Sequence, residues 1–287
     1  MSKRSVLDSP RLRELKRQRR NILWVKISVV VFGFCAIVGG LSLLTRIDKF
    51  NITQVEATGN RVVDTGEIRT IALENLEGNY LYIFPKTNFL LYPKVDIQKE
   101  LEAKFPRLQN ISFSIKNDRV LEISMTERDG LYTWCGDNPA TNNDKNEKCY
   151  FMDNTGYIFD EAPYFSGNVY FKFYDGGLET GVGEYYEPAI FSNLITFKKD
   201  LDALGLKDIA ITVTKDDEIK VVLSPKAPPA PNPQLILKKD ADLSKIIENL
   251  QTALTTEPLQ TDFKKNYGKL NYIDLRFGNK VYWKFNE

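Results

Sequence analysis

Ile27 to Leu44 is an uncharged run of 18 residues, nearly all apolar, and it constrains every other reading of the chain. As a helix it rises about 27 Å, close to the hydrocarbon thickness of a bilayer. Trp24 and Lys26, just before it, suit a membrane interface, where an indole lies at headgroup level and a long ammonium stem reaches water. Charge is divided unevenly about this run. Residues 1–26 carry nine Lys and Arg against Asp8 and Glu14, a net of +7. The remainder holds 30 basic and 36 acidic residues, so the overall +1 conceals a net of −6. The positive-inside bias then places a basic cytoplasmic tail at 1–21, a transmembrane helix at 22–45 and everything later outside. A cleaved signal peptide would have a shorter apolar region and a small-x-small cleavage site. Gly39-Gly40-Leu41-Ser42 imitates one poorly, and Leu43-Leu44 carry the run past it. A retained anchor is the expectation. In the tail, Ser9-Pro10 can open a short helix, while the basic charges serve topology.

The segment after the anchor is long enough for two small domains or one larger one, each with its own core. Aromatic residues make up 12% of the chain, which favours folded, β-rich material. Histidine is absent. That removes the usual general base, the commonest zinc ligand and any Ser-His-Asp arrangement. No glycine-rich phosphate loop occurs, and no basic patch lies outside the tail, which argues against nucleotide and nucleic-acid binding.

Phe50 to Ala57 alternates as a strand that Gly59-Asn60 ends. Asp64-x-x-Glu67 has the form of a capping box opening a helix to Leu76, with Ile68, Ile71, Ala72 and Leu76 on one face. Gly78 to Pro93 reads as a loop or broken turn, followed by a helix from about Val95 to Phe105. Two alternating strands come next, one with Ile111, Phe113 and Ile115 on a shared face, the other with Leu121, Ile123 and Met125. The turn Asn117-Asp118 joins them. The order is β-α-α-β-β.

The stretch from Phe50 to Arg128 resembles a POTRA domain, and in particular the one that follows the membrane anchor in the bacterial cell-division family FtsQ/DivIB. Val55-Glu56-Ala57-Thr58-Gly59-Asn60 stands where the family has V-E-V-x-G-N, and Glu127-Arg128 with Trp134 where it has E-R-x-P-x-A-x-W. Asp129-Gly130 replaces the proline step, and the Trp-Pro common before the last POTRA strand is missing. Tyr150 to Phe159 is similar to the family's Y-L-V-D-x-x-G-x-V-F hairpin, and Tyr272-Ile273-Asp274-Leu275-Arg276-Phe277 to its Y-x-D-L-R-aromatic ending. Between them a helix is expected over Pro188 to Leu204, strands over Ile209 to Thr214 and Ile219 to Leu223, and an amphipathic helix using Leu243, Ile246, Ile247, Leu250 and Leu254. Pro225 to Pro233 reads as a stiff linker between strands. The expected fold class is α+β: one N-terminal transmembrane helix, a POTRA domain at 49–128, and a mixed β-sheet domain with flanking helices at 129–287.

The enzyme readings are weaker. Asn142-x-Asp144-x-Asn146 spaces oxygens as a calcium loop does, but Glu147 stands where that loop needs Gly. Asp153 with Asp160-Glu161 offers a carboxylate pair, yet Asp153-Asn154-Thr155-Gly156 is better explained as a turn. A Ser-Lys peptidase would need a serine motif beyond the membrane, and Ser42 lies at the edge of the anchor. No catalytic residue, cofactor or metal is expected. A disulfide between Cys135 and Cys149 is expected, because Trp134-Cys135 ends one aromatic strand and Cys149-Tyr150 begins the next around a polar loop.

The C-terminal hairpin is the expected partner site. Ile273, Leu275 and Phe277 share a face of its first strand, and Val281, Trp283 and Phe285 a face of its second. A three-residue loop, Gly278-Asn279-Lys280, keeps these faces together and sets Asp274 opposite Lys284. The last strand is then at or near a sheet edge, with Tyr282 and Lys284 facing away from the core and the Tyr282 amide open to a partner. The resemblance implies that Arg276, Phe277, Val281, Tyr282, Trp283, Lys284 and Phe285 receive an FtsB-like protein. It further implies an FtsL-like partner, an indirect effect on the septal synthase pair FtsW and FtsI, and residence in the inner membrane at the division septum. A POTRA-bearing secretion or envelope-assembly factor is the alternative, disfavoured because no membrane barrel strands follow.

Overall fold

The computed structural model describes residues 10–117, 119–137, 147–165, 167–176, 181–225 and 232–286. Three sequence features lie outside the described residues: part of the basic tail, the Asn142–Asn146 spacing and most of the proline stretch. The protein is a mixed α+β chain with one N-terminal helix long and apolar enough to cross a membrane, and a large β-sheet domain. Two compact units are present. One comprises Met1–Glu100 with Asn110–Met125, the other Leu101–Gln109 with Thr126–Glu287.

Helix α1 (Pro10–Thr45) is one continuous element of 36 residues. The helix opens at Pro10, and the tail joins the apolar run without a break. Arg11 to Arg20 explains this, since Arg, Leu, Glu, Lys and Gln are all strong helix formers. Within the run the apolar side chains point outward, Phe32 and Leu43 among the most exposed in the chain.

The rest of the first unit is built on β1 (Gln54–Thr58), α2 (Thr65–Leu76) and a small ribbon, β2 (Asn79–Tyr80) with β3 (Phe84–Pro85). Then come α3 (Lys94–Lys104), β4 (Leu108–Lys116) and β5 (Val120–Glu127), which extend past the unit's limits. The strands form a sheet of order β1-β5-β4, with β1 parallel to β5. Asp64 caps α2 by accepting the Glu67 amide at 3.1 Å, and Ile68, Ile71, Ala72 and Leu76 are buried. Gly59 closes β1 at φ +92°, where an added Cβ would lie 1.8 Å from the Met125 carbonyl oxygen; only glycine fits. The ribbon corrects the expected loop over Gly78 to Pro93. Its two-residue strands are too short to show alternation in sequence.

The second unit holds a nine-stranded sheet of order β14-β13-β12-β11-β10-β9-β6-β7-β8. Its strands are β6 (Tyr132–Trp134), β7 (Cys149–Met152), β8 (Ile158–Ala162), β9 (Phe171–Tyr174), β10 (Asp208–Val213), β11 (Glu218–Leu223), β12 (Gln234–Lys238), β13 (Leu270–Phe277) and β14 (Lys280–Phe285). Helices α4 (Phe191–Ala203), α5 (Leu243–Thr255) and α6 (Leu259–Asn266) complete it. Leu194, Phe197 and Leu201 of α4 and Ile246 and Leu250 of α5 share one core with Phe173, Ile211, Val221, Leu235 and Ile273 of the sheet. Cys135, Tyr174, Ala210 and Val222 form a smaller cluster. Each of them follows or precedes a main-core residue, so by strand alternation they lie on the opposite face. Cys135 and Cys149 are bonded, with Cα atoms 4.1 Å apart. Beside them Glu147 accepts from Lys172 and from the Tyr174 hydroxyl, so this group is an ion-paired brace at the foot of the loop.

Asp153 makes the turn expected of it. Its Oδ1 accepts the Thr155 amide at 2.8 Å and the Tyr157 amide at 3.1 Å, while Oδ2 pairs with Arg128. Burial opposes ionisation, but the Thr155 hydroxyl and amide, Arg128 and the Tyr157 amide outweigh it and hold this carboxyl below the usual range.

Asp208, at the start of β10, is different. Its side chain is fully buried, with Lys198 Nζ 3.2 Å from one oxygen and no hydrogen-bond partner for the other among the described residues. Burial pushes its carboxyl up to about 6, against the pull of Lys198. The folded state therefore holds a proton that the unfolded chain, titrating near pH 4, has released. The associated stability is complete below that value and is lost as pH rises through about 6. Asp208→Asn lacks this titration. Between pH 5 and 7.5, urea unfolding should show the stability difference shifting in the variant's favour by about 1 kcal/mol.

Candidate partner-binding edge

Strand β14 ends the large sheet and has β13 as its one strand neighbour among the described residues. Its burial alternates without interruption: Val281, Trp283 and Phe285 turn half-buried toward the core, while Lys280, Tyr282 and Lys284 are exposed. The turn into it differs from the expected one. Phe277 pairs with Lys280, so the loop is the two residues Gly278-Asn279, with Gly278 at φ +65°.

A two-residue loop ought to mix the faces of the hairpin, and β13 avoids this with a bulge. Asp274 pairs with Tyr282 and Phe277 with Lys280, so β13 carries one more residue than β14 between those pairs, at Leu275-Arg276. A second extra residue lies between Leu270 and Tyr272. Ile273 consequently meets Trp283, and Leu270 meets Phe285, all on the core side. The Asp274–Lys284 pairing expected of a three-residue loop is replaced, since Lys284 stands opposite Tyr272.

The bulge also removes Phe277 from the core face assigned to it. Phe277 is 54% exposed, and its ring meets that of Tyr282 edge-on at 5.4 Å between centroids. An aromatic pair thus stands on the outer side of the hairpin. Arg276 lies over the Phe277 ring at 5.7 Å. Its donors are engaged within the hairpin and by β11: Nε and Nη2 reach Asp274 at 2.9 and 2.6 Å, and Nη1 pairs with Glu218. The Arg276 hydrogen bond, opposed by burial, holds the Asp274 carboxyl below its ordinary range. Arg276 therefore braces the bulge. The sequence motif marked this residue without indicating that role.

Backbone parity decides which amides are open. The Asn286 amide donates to the Lys269 carbonyl at 2.7 Å, toward β13. Amides alternate sides along a strand, and the extra residues are in β13, so Lys284, Tyr282 and Lys280 also point inward. The outward donors belong to Val281, Trp283 and Phe285. This corrects the expectation for Tyr282, whose side chain is open but whose amide faces the hairpin.

One groove borders the strand and another lies at the end of β13. The first, of about 260 Å³, runs beside Val281 and Trp283, with Ala253 of α5 and Pro258 and Leu259 on its far wall. It offers apolar space next to the open edge, built by α5 and α6 and invisible to a reading of the hairpin alone. The other, of about 640 Å³, lies by Phe277 and mixes Asp216, Asp217 and Asp240 with Lys238 and Lys239. Its walls carry both signs and present no focused field for a charged ligand.

Proline tests the parity. Val281→Pro removes an outward amide, a position an edge strand tolerates, and should cost at most about 1 kcal/mol. Tyr282→Pro removes an inward amide and should cost about 2–3 kcal/mol through the unpaired β13 carbonyl and the broken ladder. Denaturant midpoints of the two variants would rank them; a larger loss for Val281→Pro would show the parity to be reversed.

No protein-family model matches this chain, and a search of curated proteins likewise gave no match.

Proposed function

We propose that this chain is a non-enzymatic scaffold of bacterial cell division, of the FtsQ/DivIB type. In this reading α1 anchors it once in the inner membrane, with the basic tail in the cytoplasm and residues 46–287 outside. The region at 49–128 is a POTRA domain. The β14 edge captures an FtsB-like protein, with an FtsL-like protein beside it, and through them the chain influences the septal synthases FtsW and FtsI.

The observation that carries the reading is the open edge of β14 with an apolar groove at its side. An added strand would gain main-chain hydrogen bonds from the amides of Val281, Trp283 and Phe285. Alternate side chains of that strand would extend the core face beside Val281 and Trp283, and the others would meet Tyr282. Main-chain bonding supplies affinity and the groove supplies selectivity. The order of sequence motifs and the +7/−6 division of charge are consistent with this assignment.

Co-purification of the full chain with FtsB- and FtsL-like proteins from the same cell tests it. Val281→Pro should weaken capture at least about tenfold, the loss of roughly one well-formed hydrogen bond, while leaving the protein folded. Unchanged capture would end the edge-strand mechanism. A reporter active only in the cytoplasm should be silent when fused after Glu287, and a fluorescent fusion should gather at the septum. A diffuse envelope signal in dividing cells would count against the division role.

A further inference from the structure

Leu81 and Tyr82 form the tip of the β2–β3 ribbon, and both hold left-handed backbone angles, φ +49° and +61°. Such angles are costly for residues with bulky side chains. The strain does not serve burial, for Leu81 is 81% and Tyr82 93% exposed. Leu90, in the following turn, is 77% exposed. Scattered exposed leucines need no explanation, but an apolar tip held in a strained conformation calls for one.

The ribbon is tied to the end of α1. Ser42 Oγ donates to the Ile83 carbonyl at 2.9 Å, and Ser42 is 7% exposed while Leu41, Leu43 and Leu44 around it are open. Asn88 Nδ2 donates to the Thr45 carbonyl at 3.3 Å, and Asn51 Nδ2 to the same oxygen at 3.0 Å. The Thr87 hydroxyl donates to Asn51 Oδ1 at 2.8 Å, which joins the two asparagines' supports. Ser42 is two residues short of the end of the apolar run, a rise of about 3 Å. The headgroup zone on each side of a bilayer is thicker than that, roughly 5–7 Å. If α1 spans, the Ile83 carbonyl is at the level of the last apolar turn.

Composition agrees with the geometry. From Gly78 to Pro93 there is no Asp or Glu and one cation, Lys86, although the chain beyond residue 26 is net acidic. Tyr80, Tyr82, Phe84, Phe89 and Tyr92 give the segment the aromatic character of a membrane interface.

We propose that the Leu81-Tyr82 tip and Leu90 are embedded in the headgroup–acyl boundary of the bilayer crossed by α1, forming a second, shallow membrane contact. This rests on the spanning assignment of α1. The contact fixes the tilt of the first unit against the membrane, because helix and ribbon are then two supports joined through Ser42, Thr45 and Ile83.

The test uses the full chain with Cys35→Ser, leaving Cys135 and Cys149 bonded, reconstituted in phosphatidylethanolamine–phosphatidylglycerol vesicles. Single cysteines at Leu81→Cys, Leu90→Cys, Phe32→Cys and Thr58→Cys carry an environment-sensitive nitrobenzoxadiazole dye. Leu81 and Leu90 probes should emit blue-shifted light and be quenched by doxyl groups near the lipid headgroup. The Phe32 probe should be quenched by doxyl deep in the acyl chain, and the Thr58 probe by aqueous iodide alone. A deep Phe32 probe with iodide-quenched Leu81 and Leu90 probes overturns the shallow contact and leaves the spanning assignment standing. A Phe32 probe in water sinks both. Equal lipid quenching at Thr58 and Leu81 also overturns the proposal, since the contact would not belong to this tip.

Discussion

A sheet whose main core lies on one face must keep all its strands in phase, and the second unit depends on that constraint. A slip of one residue in any strand would turn its apolar side chains from α4 and α5 to the opposite face. The sheet corrects phase locally with extra residues. One lies in β10 between Asp208 and Ala210, one in β8 beside Met152, and two in β13. In β10 the bulge puts both Ile209 and Ala210 with the far-face cluster, and Ile211 returns to the main core. The buried carboxylate of Asp208 begins that same irregular stretch, with Lys198 of α4 reaching down to it.

The same device shapes the candidate site. A tight turn at Gly278-Asn279 and a core-facing β14 are incompatible in a regular hairpin, and the bulge at Leu275-Arg276 reconciles them. Its by-product is chemical. Phe277 leaves the core to stand beside Tyr282, and Arg276 becomes the clamp that joins Asp274 to Glu218 on β11. The outer aromatic pair and the ion-paired brace therefore have one structural cause.

Much of this architecture was legible in sequence, for identifiable reasons. The apolar run, the buried faces of α2 and α4 and the alternation of β14 all follow simple periods that one element imposes by itself. The base of the Cys135–Cys149 loop was legible because aromatic residues flank both cysteines. What escaped was set by neighbours. Leu270, Ile273 and Leu275 share a core only because a bulge intervenes, and no period of two can join them. Phe171-Lys172-Phe173-Tyr174 is too short for its alternation to mark a strand, and it becomes one by pairing with β6 and β10. The groove beside Trp283 needs Pro258 and Leu259, distant in sequence and brought there by α5 and α6. Strand identity and core membership were thus more accessible than pairing, and the direction of a backbone amide was least accessible of all.

The uninterrupted alternation of β14 has a consequence for recognition. Open donors recur only at every second residue, about 6.8 Å apart, and the side chains alternate between the groove, at Val281 and Trp283, and the aromatic pair, at Tyr282. A strand added here cannot shift by a single residue, because its own side chains would exchange those two environments. It can shift by two. For an added strand the edge would be a ruler graduated in dipeptides: it would distinguish odd from even placement of that strand's apolar residues, and leave longer sequence patterns to choose among the even steps.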